Sequence, residues 1–81
     1  MNLNNMSSND KPKCPLIGQD GNIFNLMGIA SRTLKNNGMD EQSKEMINRI
    51  TKEAKSYEEA IGIITEYVEV TDVEDEEVEE Y

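Results

Sequence analysis

The sequence predicts a mainly α-helical fold: a three-helix domain with a short two-stranded β clasp formed near residues 16–17 and 68–71. Three observations carry this reading. Apolar residues recur at helical spacing in three successive stretches after residue 22. Asn22 and Ser56 stand where helix N-caps belong, and Asn36-Asn37-Gly38 stands where a helix should stop. The β-branched residues Val68, Val70 and Val73 gather at the end of the third stretch, where helical spacing gives way to partial alternation.

Residues 1 to 10 hold four Asn, two Ser and an Asp, with Leu3 as the sole aliphatic. They and Lys11-Pro12-Lys13 form an arm, residues 1–13, expected to be disordered. The folded domain is assigned to residues 14–71. Cys14-Pro15 is extended, because a proline disfavours helix in its predecessor. Leu16 and Ile17 follow as a very short strand ended by Gly18. Gly18-Gln19-Asp20-Gly21-Asn22 is a turn, with Asn22 as the N-cap of the first helix and Asp20 placing negative charge near the positive end of its dipole.

The first helix is expected from Ile23 to about Asn36. Ile23, Phe24, Leu26, Met27, Ile29, Ala30 and Leu34 cover well over half of its circumference, too wide an arc for a helix lying on a surface. This should be the central helix, touched on more than one side. The remaining strip carries Asn25, Arg32 and Lys35, with Gly28 at its margin. Gly38 suits a left-handed cap.

The second helix is expected from Asp40 to near Lys55, with Ser43, Met46, Ile47, Ile50 and Ala54 on its buried stripe. Glu45, Arg49 and Glu53 recur every fourth residue on its wet side. Ser56-Tyr57-Glu58-Glu59 has the capping-box form that opens the third helix. That helix buries Tyr57, Ala60, Ile61, Ile64, Tyr67 and Val68, widened by Ile63, and turns Glu58, Gly62, Thr65, Glu66 and Glu69 outward. Gly62 thus falls among acids, where core packing gives no reason for it. Tyr67 to Thr71 then admits a short strand whose natural mate is Leu16-Ile17.

The charge is lopsided. The chain of 81 residues carries -9, and seven of its 17 acids lie between Asp72 and Glu80. Residues 1–71 hold ten acids against eight bases, so the excess belongs to the tail, residues 72–81, expected to be disordered. This balance argues against direct nucleic-acid binding, which needs clustered Lys and Arg, and favours a partner with a basic surface. No apolar run approaches the roughly 18 residues of a membrane span, and the first ten residues lack the basic and apolar regions of a signal peptide. With a single cysteine, the expected location is the cytoplasm.

Catalytic chemistry is poorly supplied. There is no histidine, hence no Cys-His pair and no zinc set. Cys14 reads as an inert thiol in an extended arm. The carboxylates sit on wet faces rather than around a cleft, and the tail lacks the spacing of a calcium loop. The chain is therefore read as a non-enzyme without cofactor or metal. Two surfaces remain. The first is acidic and suits a protein partner: Glu58, Glu66, Glu69, Asp72, Glu74, Asp75, Glu76 and Glu77. The second would take a small ligand such as a nucleotide: Gly18, Gly21 and Asn22 at the turn, or the strip of Asn25, Arg32 and Lys35. A homodimer or other homo-oligomeric accessory role is the third option, through the wide apolar faces of the first and third helices.

The run Asp20-Gly21-Asn22-Ile23-Phe24, then Gly28, Leu34-Lys35, Ser56-Tyr57 and Glu66-Tyr67-Val68-Glu69-Val70 resembles a group of small bacterial and phage proteins. In these, a DGN-x-F turn leads into an apolar helix, and EYV-x-V follows a second helix. The resemblance spans residues 16 to 70. It implies a mobile-element origin in a Gram-positive host, and with it a phage-encoded inhibitor of a host defence protein that binds nucleic acid. It carries over no activity and no site residue.

Overall fold

The computed structural model describes residues 11–73. In chain order these form β1 (Lys13–Ile17), α1 (Ile23–Asn36), α2 (Asp40–Glu53), α3 (Tyr57–Tyr67) and β2 (Glu69–Asp72). The fold is the expected three-helix domain with a β pair. The expected 1–13 arm and 72–81 tail fall in large part outside the described residues. Where they enter them the domain is larger than 14–71: Lys13 belongs to β1, Asp72 to β2, and the Lys11 ammonium donates to the Thr65 carbonyl at 2.8 Å.

Helix α1 begins where its cap dictates. The Asn22 side-chain oxygen accepts from the Phe24 amide at 2.8 Å, while Asp20 Oδ1 accepts from the Asn22 amide at 3.2 Å. At the far end Gly38, at φ 75°, reverses the chain. Its amide donates to the Lys35 carbonyl at 3.0 Å and the Met39 amide to the Leu34 carbonyl at 2.8 Å, the paired bonds of a Schellman stop. Met39 then gives α2 no side-chain cap, and Asp40 and Glu41 in the first turn meet the dipole instead.

Helix α2 ends at Glu53, two residues before the expected Lys55, because Ala54 is already extended. The Ser56 hydroxyl accepts from the Glu59 amide at 3.1 Å, as a capping box requires. Its return arm is displaced by one residue: the Glu59 carboxylate accepts from the Lys55 amide at 2.7 Å rather than from Ser56. That bond stabilises the short turn between α2 and α3.

The two strands run parallel, which the long connection through three helices permits and a tight hairpin could not. Lys13 pairs with Glu69, Cys14 with Val70 and Pro15 with Thr71, with an irregularity before Ile17 meets Asp72. The clasp therefore reaches further towards the N-terminus than Leu16-Ile17. Pro15 cannot donate and is tolerated on an edge strand; its carbonyl accepts from the Gln19 side chain at 3.0 Å. Gly18 leaves the strand at φ 100°, and a Cβ there would lie 2.7 Å from Val73 Cγ2, so a larger residue would have to displace Val73 and strain the backbone.

The core gathers Leu26, Ala30 and Leu34 of α1, Met46 and Ile50 of α2, and Ala60, Ile63 and Ile64 of α3. Cys14, Leu16 and Val68 close it from the sheet side. Two expectations change here. Cys14 is wholly buried in the core, with the Thr33 hydroxyl 3.5 Å from its sulfur, and is not a thiol in an extended arm. Phe24, placed on the buried arc of α1, is 72% exposed, and Tyr57, placed on the buried face of α3, is 51% exposed.

Between α1 and α2 the small buried residues Ser31 and Ser43 meet, their hydroxyls 2.6 Å apart. Ser31→Ala strands the Ser43 hydroxyl in the core and is expected to cost about 1–2 kcal/mol in urea unfolding. The Ser31→Ala/Ser43→Ala double variant should recover most of that loss, because no polar group is then left without its partner.

Candidate functional site

The expected phosphate-type turn is occupied by its own fold. The amide that an anion would need at the start of α1, that of Phe24, is bound by Asn22. Asn25 donates to the Asp20 carbonyl at 2.9 Å, and the Tyr57 hydroxyl donates to the Gly21 carbonyl at 2.7 Å. Among the described residues only Gly18 and Gly38 adopt a positive φ, so Gly21 is not held there by a left-handed conformation. Arg32 and Lys35 are exposed, as expected, but sit two and a half to three and a half turns beyond the turn residues. Gly18, Gly21 and Asn22 are thus turn and cap residues that the structure does not bring together with Arg32 and Lys35, while Asn25, on the α1 strip, is tied back to the turn through the Asp20 carbonyl.

The acidic surface is divided. Glu58 and Glu69 are exposed, and Asp72 is half-buried in β2. Glu66 is engaged: Arg49 Nη1 donates to it at 2.6 Å and Nη2 at 3.4 Å, while the same guanidinium reaches the Tyr67 hydroxyl at 3.2 Å and lies over the Tyr67 ring. Arg49 makes the expected helical pair with Glu53 at 3.5 Å. Its stronger bond crosses to α3, however, which spacing along α2 does not reveal. Glu74, Asp75, Glu76 and Glu77 lie outside the described residues.

The feature that sequence reasoning missed is an apolar groove of about 430 Å³ where three helix ends meet. Ile23, Phe24 and Met27 line it from α1, Ile50 and Ala54 from the end of α2, and Tyr57 from the start of α3. It arises because the chain turns at Ala54 instead of continuing as helix, leaving the first turn of α1 uncovered on that side. The two most exposed aromatics of the described residues, Phe24 and Tyr57, stand at its mouth. A signal for it existed: the apolar arc of α1 is wider than two neighbouring helices can cover.

Among the described residues no group of three or more Asp, Glu, Cys or His is placed to hold a metal ion. Nor is any helix there long and apolar enough to cross a membrane. The arrangement is suited to binding apolar side chains.

The hydrogen bonds from Arg49 hold the Glu66 carboxyl below the usual carboxylate range, against a smaller opposing effect of desolvation. A carboxyl depressed in the folded state stabilises it above the unfolded value and loses that contribution as pH falls through the folded one. Glu66→Gln should therefore be less stable than the native chain near neutrality. The gap between their urea midpoints should narrow on acidification from about pH 6 to about pH 3.

Compared with protein-family models, with curated proteins and with solved structures, the chain matches none.

Proposed function

We propose that this chain is a non-enzymatic protein-binding module whose groove receives apolar side chains from a basic segment of another protein. The observation that carries it is the pair Phe24 and Tyr57, large aromatics left in water at the rim of an apolar groove. Exposing a side chain of that size forgoes about 1.5–3 kcal/mol of burial, a loss that a partner's surface recovers. Aromatic residues of this kind are the usual anchors of protein interfaces.

The net charge of -9 selects the chemistry of the partner. Glu58 and Glu69 are exposed on the α3–β2 side, and further acids follow in the sequence from Glu74. A basic segment is steered towards such a surface, whereas an acidic one is repelled. Phe24 and Tyr57 also offer ring faces to a lysine or arginine. On this reading the partner is a host protein with a basic nucleic-acid-binding surface, met in the cytoplasm. The chain is then an inhibitor encoded by a phage or another mobile element.

The test is capture from a Gram-positive host lysate on immobilised native chain, on Phe24→Ser and on a chain lacking residues 74–81, which should retain the partner less at low salt. A true partner is retained by the native chain, released as salt rises, and retained at least tenfold less by Phe24→Ser, a change of about 1.4 kcal/mol or more. Thermal stability of Phe24→Ser should stay close to native, because the side chain is exposed. Equal retention by Phe24→Ser, or binding indifferent to salt, removes this reading.

A further inference from the structure

The apolar groove is bounded by helix ends and by the turn between α2 and α3, and neither strand lines it. Ile23 and Met27 stand four residues apart on α1. Ile50 and Ala54 stand four apart along the end of α2 and its cap. Residues at this spacing form the ridges between which a neighbouring helix packs its own. Ile50 and Ala60 are buried and make the floor, while Ile23, Met27 and Ala54 are half-buried, so both ridges remain open on one side.

The hydroxyls on the walls of the groove are already engaged. That of Thr51 donates to the Asn48 carbonyl at 3.1 Å, that of Ser56 accepts from the Glu59 amide, and that of Tyr57 donates to the Gly21 carbonyl. An extended segment settling here would take its N–H and C=O groups out of water with no ladder to receive them, a state that native structures avoid. A helix carries those bonds internally and presents only side chains. The open space is also one that a helix fills: the chain turns at Ala54, and no further turn of α2 covers the start of α1.

We propose that the partner segment is an amphipathic α-helix, laid along the groove with apolar residues at i, i+3 or i+4 and i+7 facing Ile23, Met27, Ile50 and Ala54. Each ridge is about 6 Å long, so about two turns of the partner helix cover both. Phe24 and Tyr57, at the mouth, pack against its flanks. The exposed charges beside the groove are mixed, Lys52 and Lys55 against Glu53 and Glu58. The sign is therefore set by the chain as a whole, at -9, and the partner helix carries Lys or Arg on the side turned away from the groove. This conformation rests on the reading of the groove as a protein-binding site, and adds to it the spacing of the residues bound.

The test is selection from a random library of displayed peptides of about 16 residues, long enough for four helical turns. The full native chain is the target, and peptides that also bind Phe24→Ser are removed. Retained sequences should repeat apolar residues at three- and four-residue spacing, with Lys or Arg between them. The tightest of them, synthesised, should gain helical circular dichroism on mixing with the native chain. A proline at its centre should weaken binding at least tenfold, because proline breaks a helix. Apolar residues at every second position, or a proline variant that binds as well as its parent, overturns the helical occupant and leaves the groove a protein-binding site. Failure to find any peptide that distinguishes the native chain from Phe24→Ser overturns both.

Discussion

Burial of one side of α1 is the constraint on which the other elements depend. Leu26, Ala30 and Leu34 project from that side, and α2, α3 and β1 all close over it. A buried leucine contributes about 1.5–3 kcal/mol, and the net stability of a domain this small is on the order of 5–10 kcal/mol. Two leucines are thus a large share of what holds the fold, and no disulfide supplements them. The sheet follows from the same requirement. Cys14 and Leu16 on β1 and Val68 ahead of β2 are buried residues that complete the cover of the core. The parallel ladder is the means of holding them there.

Local chemistry marks the ends of the helices. Asn22 and Ser56 begin two of them with side-chain acceptors, and Gly38 ends the first with a left-handed residue. These devices act within a few residues of the chain and act almost independently of the rest. Long-range contacts then bind the pieces together: Arg49 to Glu66 between α2 and α3, Tyr57 to Gly21 between α3 and the first turn, and Lys11 to Thr65 between the N-terminal arm and α3. Exposed contacts of this kind, the Arg49–Glu66 ion pair among them, contribute little energy each, but they set how the helices sit. They also change the surface, because Glu66 is no longer an uncompensated acid offered to a partner.

The surface that remains has two characters. One is the apolar groove rimmed by Phe24 and Tyr57. The other is the separation of charge, basic along α1 and acidic along α3, each around a glycine, Gly28 and Gly62, with open space above it. Both are places where the single chain leaves an unfavourable feature in water: an exposed aromatic in one case, a helix-weakening residue in the other. Neither is required by the packing within one copy.

The helices, their caps and most of the core were legible in the amino-acid sequence. Periodicity of 3.6 residues and capping depend on neighbours in the chain, so Asn22, Ser56, Gly38 and the stripe from Ser43 to Ile50 could be read directly. The strand pair was legible in part, from β-branched residues after Tyr67, but its parallel register and its reach to Lys13 depend on where three helices deliver the chain. Tertiary structure alone decided that Phe24 and Tyr57 face water and that Cys14 does not. It alone turned Arg49 towards Glu66 and opened a groove beyond the end of α2. A wide apolar arc says how much surface wants cover, and only the placement of the neighbouring helices decides which part of it is covered.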